Sequence, residues 1–474
     1  MTSWLSLALL GCIPDDDKGD DTGPALADDT GPVDTDPGTD DTGPSNDDVA
    51  ASSAAFAMEG DPKVDGGLGT TLAVLFDGKQ TIIAAGAPGH ESDRGAVYTA
   101  AVSLSDDTLE GTTIVSENDG ERAGTGLAIG ENGLVVGAPG MGATGDLSGG
   151  VYYLADASVL VEGGELTMAE VGATTLDYGT AGAGAGTSTA WIPGLPGAKS
   201  LTGLLVGAPD EGQGKAMLYY DLSTRKDLDS PDWSITFSES LGATAQAGQV
   251  VDWGGSVVSG VATTVVVGAP SYSHPSGDGN AEGAVFVFSD LTTSPALESD
   301  AAAVVVGGTA NDAFGSAISS GYDLNGDGTA DLAVGAPRAD GKGEAYVFFG
   351  PLSGELSASD ADCTITTDQT SALGTALSIT GEDGGYELLV GAPSAEGVEP
   401  GAGAAYVVDV TTCKGSINVD TGAAASPAPP VHGGSHFLGD DKNDEFGGGT
   451  GGPGPKKIVG APGDNGGSGA VYVF

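Results

Sequence analysis

Short apolar runs that end in Gly-Ala-Pro recur along the whole chain. The tripeptide lies at 86–88, 137–139, 207–209, 268–270, 335–337, 391–393 and 460–462, at intervals of 51 to 70 residues. Each copy follows an apolar run such as Val265–Val267 and precedes a polar loop and a second run such as Ala284–Phe286. Continuous apolar runs are typical of strands buried on both faces, and proline removes a backbone donor and stops a strand. The pattern therefore predicts seven equivalent pairs of buried strands.

Two further strands per repeat are indicated before each Gly-Ala-Pro. A glycine-containing segment, as at Gly124–Gly126, Trp253–Gly255 and Phe314-Gly315, is where we expect the innermost strand. An earlier alternating segment such as Thr364–Thr366 has the pattern of a half-exposed rim strand. Four-stranded units repeated seven times predict an all-β fold, a seven-bladed β-propeller of antiparallel blades. A β-solenoid or separate small domains are the alternatives, but solenoid coils are typically about half this length or less.

The last repeat lacks one predicted strand. The sequence reaches Phe474 directly after the third strand of the seventh repeat, so that blade has no rim strand of its own. Residues 53–59 precede the first repeat and belong to no blade. We predict that this N-terminal strand completes the last blade, because closing the ring removes sheet edges that could aggregate.

Composition and charge narrow the function classes. The 474 residues include 83 Gly and 25 Pro, and 39% are hydrophobic, which is enough for a core. There are 15 Lys and Arg against 67 Asp and Glu, for a formal charge of −52. Such a field repels phosphate backbones, so we expect no nucleic-acid partner and no direct contact with an anionic membrane surface.

The N-terminal 51 residues differ from the rest. Trp4–Leu10 is an apolar stretch too short to span a bilayer and typical of a signal peptide, although no Lys or Arg precedes it. Leu9-Leu10-Gly11-Cys12 resembles a bacterial lipobox, which implies that residues 1–12 are a leader and that Cys12 is lipidated. An ordinary cysteine in a short leader is the alternative. Residues 13–51, with Asp-Asp-Thr-Gly-Pro at 20–24, 28–32 and 40–44, predict a disordered acidic linker.

The propeller itself is predicted to span residues 52–474. We therefore expect a protein of the cell envelope, periplasmic or extracellular, held at the outer membrane or cell surface through a lipid anchor. In this interpretation the lipid anchor is the protein's only contact with the membrane.

One repeat is complete enough to be compared with a known family. Phe314-Gly315, Asp323–Asp331, Gly335–Pro337 and Ala345–Phe348 follow one another in the fifth repeat. This stretch closely resembles an FG-GAP repeat, the unit of the integrin α-subunit propeller and of many bacterial surface proteins. The resemblance implies an adhesive protein that binds a protein or polysaccharide through its loops, and we expect it to be a monomer.

The fifth repeat also contains the strongest candidate for chemistry. Asp323, Asn325, Asp327 and Asp331 alternate around Gly328, and Thr329 would add its backbone carbonyl. Hard Ca²⁺ prefers six to eight oxygen ligands, and alternate residues of a tight loop can present them inward. The pattern is similar to the hairpin calcium loop of FG-GAP propellers, which implies a structural Ca²⁺. A turn without metal is the alternative.

Catalysis finds little support in the sequence. There is no Gly-x-Ser-x-Gly elbow and no Walker phosphate loop. We therefore expect a binding protein and not an enzyme; a propeller-fold hydrolase or lyase, and a surface spacer without a specific ligand, are the alternatives. Cys363 and Cys413 leave an even number once Cys12 is set aside, which permits a disulfide in an oxidising compartment, with two free thiols as the alternative.

Overall fold

The strands of the fold can be followed through most of the chain after residue 47. The computed structural model describes residues 48–51, 54–60, 66–103, 109–130, 133–142, 146–155, 163–193, 203–238, 245–275, 281–382, 384–420, 423–425 and 436–474. The predicted leader with Cys12, and the predicted linker up to residue 47, lie outside the described residues.

The strands around each Gly-Ala-Pro form as predicted and assemble into seven small sheets, the blades. Within each blade, strands pair in antiparallel order from the axis outward, and the Gly-Ala-Pro strand is always the second. The seven-bladed propeller predicted from the repeats is therefore confirmed.

The strand bounds are as follows. Before the first blade come β1 (Asp48–Ala50) and β2 (Phe56–Glu59). Blade 1 contains β3 (Thr71–Phe76), β4 (Gln80–Ala87), β5 (Ala96–Ser103) and β6 (Leu109–Val115). Blade 2 contains β7 (Gly126–Gly130), β8 (Gly133–Gly137), β9 (Gly150–Leu154) and, after the separate β10 (Gly164–Thr167), β11 (Thr174–Asp177). Blade 3 contains β12 (Ser188–Ile192), β13 (Gly203–Ala208), β14 (Lys215–Tyr220) and β15 (Trp233–Thr236).

The remaining blades continue the series. Blade 4 contains β16 (Val250–Trp253), β17 (Val265–Ala269), β18 (Ala284–Phe288) and, after β19 (Ala296–Leu297), β20 (Ala303–Val306). Blade 5 contains β21 (Ala317–Ser320), β22 (Leu332–Ala336), β23 (Glu344–Phe348) and, after β24 (Gly354–Ser357), β25 (Cys363–Thr366). Blade 6 contains β26 (Leu377–Glu382), β27 (Gly385–Ala392), β28 (Ala404–Val408) and, after β29 (Gly415–Asn418) and β30 (Ala423–Ala425), β31 (His436–Leu438). Blade 7 contains β32 (Gly449–Gly451), β33 (Ile458–Ala461) and β34 (Ala470–Val473).

Helical structure in the described residues consists of single turns in the connections. Two four-residue turns, α1 (His90–Asp93) and α2 (Asp464–Gly467), both follow a Gly-Ala-Pro; each contains left-handed residues, such as Glu91 (φ 43°) and Asn465 (φ 51°), so neither is a regular α-helix. Turns of 3₁₀ helix lie at Leu222–Thr224, Glu298–Asp300, Ala339–Gly341 and Ala358–Asp360. In the part of the chain that the structure describes, no helix has the length and apolar character needed to cross a membrane.

Glycine pairs join each blade to the next. A Cβ added to Gly335, the glycine of Gly-Ala-Pro in blade 5, would lie 2.0 Å from the carbonyl oxygen of Gly374, which has φ +86° in blade 6. The same distance is between 1.9 and 2.3 Å at the other six junctions. These junctions are Gly86 with Gly124, Gly137 with Gly186, Gly207 with Gly248, Gly268 with Gly315, Gly391 with Gly447, and Gly460 with Gly69. Only glycine allows this approach, so the recurring motif reflects how closely the blades meet.

The junctions show where the sequence interpretation was wrong in detail. In blade 4 the glycine that meets its neighbour is Gly248, whereas Trp253–Gly255 lies at the far end of the innermost strand. The predicted Phe-Gly segment likewise precedes its innermost strand: Gly315 forms the junction, and β21 begins at Ala317. Its left-handed glycine turns the chain before the strand starts.

The ring closes as predicted, and two N-terminal strands, β2 and β1, pair with C-terminal strands. Strand β2 pairs antiparallel with β34, so that Phe56 lies opposite Val473 and Met58 opposite Val471. This confirms that an N-terminal strand completes the last blade. Strand β1 pairs in parallel with β31 of blade 6, so paired strand structure begins at Asp48, a few residues before the predicted start of the propeller at residue 52. Sheet edges bind a strand through its backbone, so an acidic sequence such as Asp48-Val49-Ala50 can still pair.

A parallel strand covers the rim of most blades, and the sequence patterns did not indicate it. Strand β10 pairs with β6, β19 with β15, β24 with β20, β29 with β25, and β1 with β31. In each case the covering strand precedes the rim strand of the next blade in the ring, directly except in blade 6, where β30 lies between β29 and β31. The edges that antiparallel blades would otherwise expose are thereby paired.

The hydrophobic core lies between neighbouring blades. One cluster, for example, joins Leu205 and Trp233 of blade 3 to Val267 and Phe288 of blade 4, all of them fully or almost fully buried. Because the second and third strands are apolar on both faces, each blade packs against two neighbours.

Candidate functional site

The loop between β21 and β22 contains all five predicted calcium ligands. Strands β21 and β22 pair antiparallel, with Ala317 opposite Gly335 and Ser320 opposite Leu332. The loop therefore lies at the end of the ring opposite the Gly-Ala-Pro loops. We call these two ends the hairpin end and the Gly-Ala-Pro end.

Side-chain oxygens at alternate positions hold the loop in shape. Asp323 accepts the backbone N–H of Asp327 at Oδ1 (3.1 Å) and that of Gly328 at Oδ2 (2.7 Å). Asn325 Oδ1 accepts the N–H of Asp327 at 2.9 Å, and Asp327 Oδ1 accepts the N–H of Thr329 at 2.8 Å. The polar residues thus fold the backbone around themselves, as short Asx residues do in turns.

Asp331 connects the loop to the body of the propeller. It is fully buried, its Oδ2 accepts the N–H of Leu324 at 2.7 Å, and its Oδ1 accepts the N–H of Gly350 at 2.9 Å. Burial raises the pKa of Asp331 to about 6; the two N–H groups oppose this, and repulsion from Asp323 and Asp327 adds to it. A cation in this loop would relieve that repulsion.

The neighbouring hairpin of blade 4 holds the loop from the other side. The backbone N–H of Ala330 donates to Ser256 Oγ at 3.1 Å. A Cβ on Gly255 would lie 3.0 Å from Gly321 Cα, so the two hairpins meet backbone against backbone. The loop is therefore fixed between two blades.

The loop fits calcium in chemistry but not in its present side-chain conformations. Its donors are carboxylate, amide and carbonyl oxygens, which calcium prefers. Within the described ranges, no three His, Cys, Asp or Glu side chains are gathered so that they could hold a metal ion. Carboxylates that now accept backbone N–H groups would have to rotate to bind an ion.

The two downstream cysteines are joined. The Sγ atoms of Cys363 and Cys413 lie 1.96 Å apart, and their Cα atoms lie 5.5 Å apart, as in a disulfide. Cys363 is the first residue of the rim strand β25, and Cys413 comes two residues before the covering strand β29. The bond therefore fastens a covering strand to the rim that it covers.

Tyrosine–carboxylate pairs at the Gly-Ala-Pro end were missed in the sequence. Tyr152 donates its O–H to Glu121 Oε2 at 2.6 Å, and Tyr472 donates to Asp464. Burial raises the pKa of Asp444 to about 6, and repulsion from Asp464 adds to this while a backbone N–H opposes it. The signal was a tyrosine three residues after the glycine that opens the third strand, at Tyr98, Tyr152, Tyr346, Tyr406 and Tyr472. Carboxylates are therefore partly buried at this end.

Comparisons with known proteins agree with the fold. Residues 314–348 match the family model of the FG-GAP repeat. Phosphatidylinositol-glycan-specific phospholipase D of Rattus norvegicus is 36% identical over 146 residues, 28% of this chain and 17% of that protein. Integrin alpha-3 of Cricetulus griseus is 33% identical over 199 residues, 40% of this chain and 17% of that protein. The matched part thus spans about a sixth of each relative.

A solved structure extends the comparison to most of the chain. The alignment with the Dos1 propeller covers 89% of this chain and 76% of the Dos1 chain, with 11% sequence identity and a TM-score of 0.39. A similarity this distant supports no argument about function.

The closed ring of antiparallel blades defines the class of this protein as a β-propeller. The fifth repeat matches the FG-GAP repeat family, and the glycine pair of that repeat recurs at every junction, so the chain is a β-propeller that contains an FG-GAP repeat.

Proposed function

We propose that this propeller is exported and binds a protein or polysaccharide through the loops at its Gly-Ala-Pro end. The observation that carries the proposal is the similarity to integrin alpha-3 over 199 residues of the propeller. The carboxylates at the Gly-Ala-Pro end, with a formal charge of −52 for the chain, favour a partner with a basic surface. Binding is then driven in part by charge and weakens as salt is added.

The test is a binding measurement on the immobilised full chain. We expect saturable, salt-sensitive binding to a member of an array of polysaccharides and basic protein domains. The double variant Asp441→Asn with Glu445→Gln removes two charges at the Gly-Ala-Pro end and should weaken this binding. Asp290→Asn with Asp300→Asn removes two charges at the hairpin end and should leave it unchanged.

Two results would contradict the proposal. Equal loss of binding in both double variants would show that only net charge matters. Absence of any saturable partner would favour a structural spacer without a specific ligand.

We also propose that the loop of blade 5 binds a structural Ca²⁺. Its ligands would be the side-chain oxygens of Asp323, Asn325, Asp327 and Asp331 and the backbone carbonyl of Thr329. The ion would supply positive charge to a cluster of carboxylates and fix the hairpin between two blades.

Calorimetric titration of chelator-treated protein tests the calcium proposal. We expect one Ca²⁺ per chain, a higher melting temperature with Ca²⁺, and loss of both effects in Asp327→Asn. Asp290→Asn is the control, because it removes one exposed carboxylate elsewhere. Calcium binding by Asp327→Asn as tight as by the unaltered chain would contradict this assignment.

For the N-terminus we propose a lipid anchor on Cys12 at the outer membrane or cell surface. The disulfide supports an oxidising compartment, because disulfides persist outside the reducing cytosol. Expression in a bacterial host with labelled palmitate should label the chain and place it in the envelope fraction. Cys12→Ser should abolish the label while Cys413→Ser retains it; a label that survives Cys12→Ser would contradict the proposal.

An enzymatic function is the second candidate, because several relatives are phosphatidylinositol-glycan-specific phospholipases D. The similarity covers 28% of this chain and 17% of the rat enzyme, and it lies in the propeller repeats. We propose that the chain is a binding protein and not an enzyme. Incubation of the full chain with a phosphatidylinositol-glycan substrate should release no product, and turnover above that of a buffer control would reverse this assignment.

A further inference from the structure

A cavity of about 310 Å³ lies on the axis of the ring. Residues from all seven innermost strands line it, and most of them are apolar. Its volume is at the lower end of the range for small-molecule sites, which is about 300–1,000 Å³. None of the five predicted calcium ligands and none of the Gly-Ala-Pro residues lines the cavity, although Tyr322, next to Asp323, does.

One carboxylate lies among these lining residues, which also include six with hydroxyl groups. Asp252 Oδ2 accepts the N–H and the O–H of Ser320 at 2.8 and 3.0 Å, and Asp252 Oδ1 accepts the N–H of Trp253 at 2.8 Å. These bonds hold the carboxylate in place but bring no positive charge. Among the described residues that line the cavity there is no Lys, Arg or His.

Aromatic rings stand beside the carboxylate. Trp191, Trp253 and Tyr322 all line the cavity, and the rings of Trp253 and Tyr322 meet edge to face with centroids 6.3 Å apart. The Nε1 atoms of both tryptophans are buried, and neither has a hydrogen-bond partner among the described residues. The two indoles therefore present only carbon atoms of their rings to the cavity.

We propose that the axial cavity binds a small organic ammonium ion. Its positive charge would pair with Asp252, and its apolar substituents would contact the rings of Trp191, Trp253 and Tyr322. Aromatic faces attract cations through their quadrupole, and quaternary ammonium ligands are recognised in this way. The charge of −52 on the whole chain raises the local concentration of cations and thus favours the same ligand.

Other ligands fit the cavity less well. A divalent metal ion would need several oxygen ligands from charged groups, whereas one carboxylate lines the cavity. A neutral sugar could bond to the lining hydroxyl groups, but it would leave the charge of Asp252 without a counter-charge. Burial raises the pKa of Asp252 to about 6, with N–H and O–H donors opposing the rise, so the carboxyl is mostly ionised at neutral pH.

Choline and its uncharged isostere 3,3-dimethylbutan-1-ol are the probes for isothermal titration of the full chain. We expect one choline per chain and at least tenfold weaker binding of the isostere, because only choline has a charge to pair with Asp252. Choline binding should also weaken as the pH falls below about 6. Tyr322 is the other titratable group among the described lining residues, and burial raises its pKa further above its ordinary value, so it stays neutral throughout.

Matched variants identify the group that binds. Asp252→Asn should weaken choline binding at least tenfold, whereas Asp290→Asn makes the same charge change on the exposed surface and should leave it unchanged. Trp253→Leu should weaken it as well. Circular dichroism establishes that each variant is folded.

Several outcomes would overturn the proposal. They are equal affinity for choline and the isostere, unchanged binding by folded Asp252→Asn, constant affinity between about pH 5 and pH 8, and no binding up to about 10 mM choline. If Asp252→Asn does not fold, the isostere and the pH series on the unaltered chain decide the matter. A cavity filled only with water would give no binding of either probe.

Discussion

Replacing Gly335 by alanine tests whether the glycine pairs set the distance between blades. Gly335 lies in the Gly-Ala-Pro of blade 5, and its new Cβ would lie 2.0 Å from the carbonyl oxygen of Gly374 and 3.1 Å from Ala317 Cβ. Cβ atoms are seldom closer than about 3.4 Å to such neighbours, so blades 5 and 6 would have to separate by more than 1 Å. The atom in the way is backbone and cannot rotate aside.

The expected cost follows from this geometry. Overpacking a well-packed core typically costs about 1–3 kcal/mol, and a clash with backbone belongs at the upper end. For a ring of this length, about 3 kcal/mol lowers the melting temperature by about 3 °C, since the entropy of unfolding grows with chain length. The separation would also loosen the blade 6 junction, where the N–H of Gly374 donates to Gly391 O at 2.9 Å.

Thermal unfolding and hydrogen exchange at the Gly374 amide measure the two effects. Gly308→Ala is the matched control, because a Cβ there would have its nearest neighbour, Ala358 Cβ, at an ordinary 3.6 Å. We expect faster exchange and a lower melting temperature in Gly335→Ala alone. If both variants melt like the unaltered chain, the glycine pairs do not set the distance between blades, and the interpretation of the motif is wrong.

Three further predictions concern the seam, the disulfide and the buried acids. Met58→Ala should lower the free energy of unfolding, measured by denaturant titration, by about 2 kcal/mol or more, because it opens a cavity under the closing strand. The control Glu59→Ala, on the exposed face of the same strand, should change that free energy by less than about 0.5 kcal/mol. Cys363→Ser with Cys413→Ser should cost up to about 4 kcal/mol by chain entropy for a separation of 50 residues, and a melting temperature unaffected by reductant would contradict this. Burial raises the pKa of Asp444 to about 6, so its contribution to stability is greatest below about pH 4 and is lost as the pH rises through 6. Asp444→Asn should therefore flatten the dependence of the unfolding free energy on pH between about 4 and 6. An unchanged slope would assign this pH dependence to other groups.

The strands of the blades could be predicted because their signal is local. Apolar runs such as Val265–Val267 belong to the second strand in every blade. The missing rim strand of blade 7 could be predicted by counting the strands in each repeat. The covering strands could not be predicted because they are only two to four residues long, too short for a periodic pattern. In β24, for example, Gly354 and Glu355 are exposed, so no periodic pattern marks the strand.

The candidate sites were predictable only in part. The alternating acids from Asp323 to Asp331 identified the loop, but their present rotamers depend on backbone N–H groups that the loop itself creates. Asp252 and Trp253 gave no signal, because a single acid beside a tryptophan becomes a site only when seven strands enclose an axis. Gly248 was missed because Ala247 precedes it, whereas a bulky Leu or Phe precedes the junction glycine in four of the seven repeats.

The position of β1 and β2 has a mechanical consequence. Tension transmitted along the chain from residues before Asp48 reaches β1 on blade 6 first and β2 on blade 7 next. The two strands that seal the ring are therefore also the first to bear load. A pull strong enough to detach them would expose the edges of β31 and β34 and open the ring at blade 7, while blades 1 to 6 keep their own rim strands.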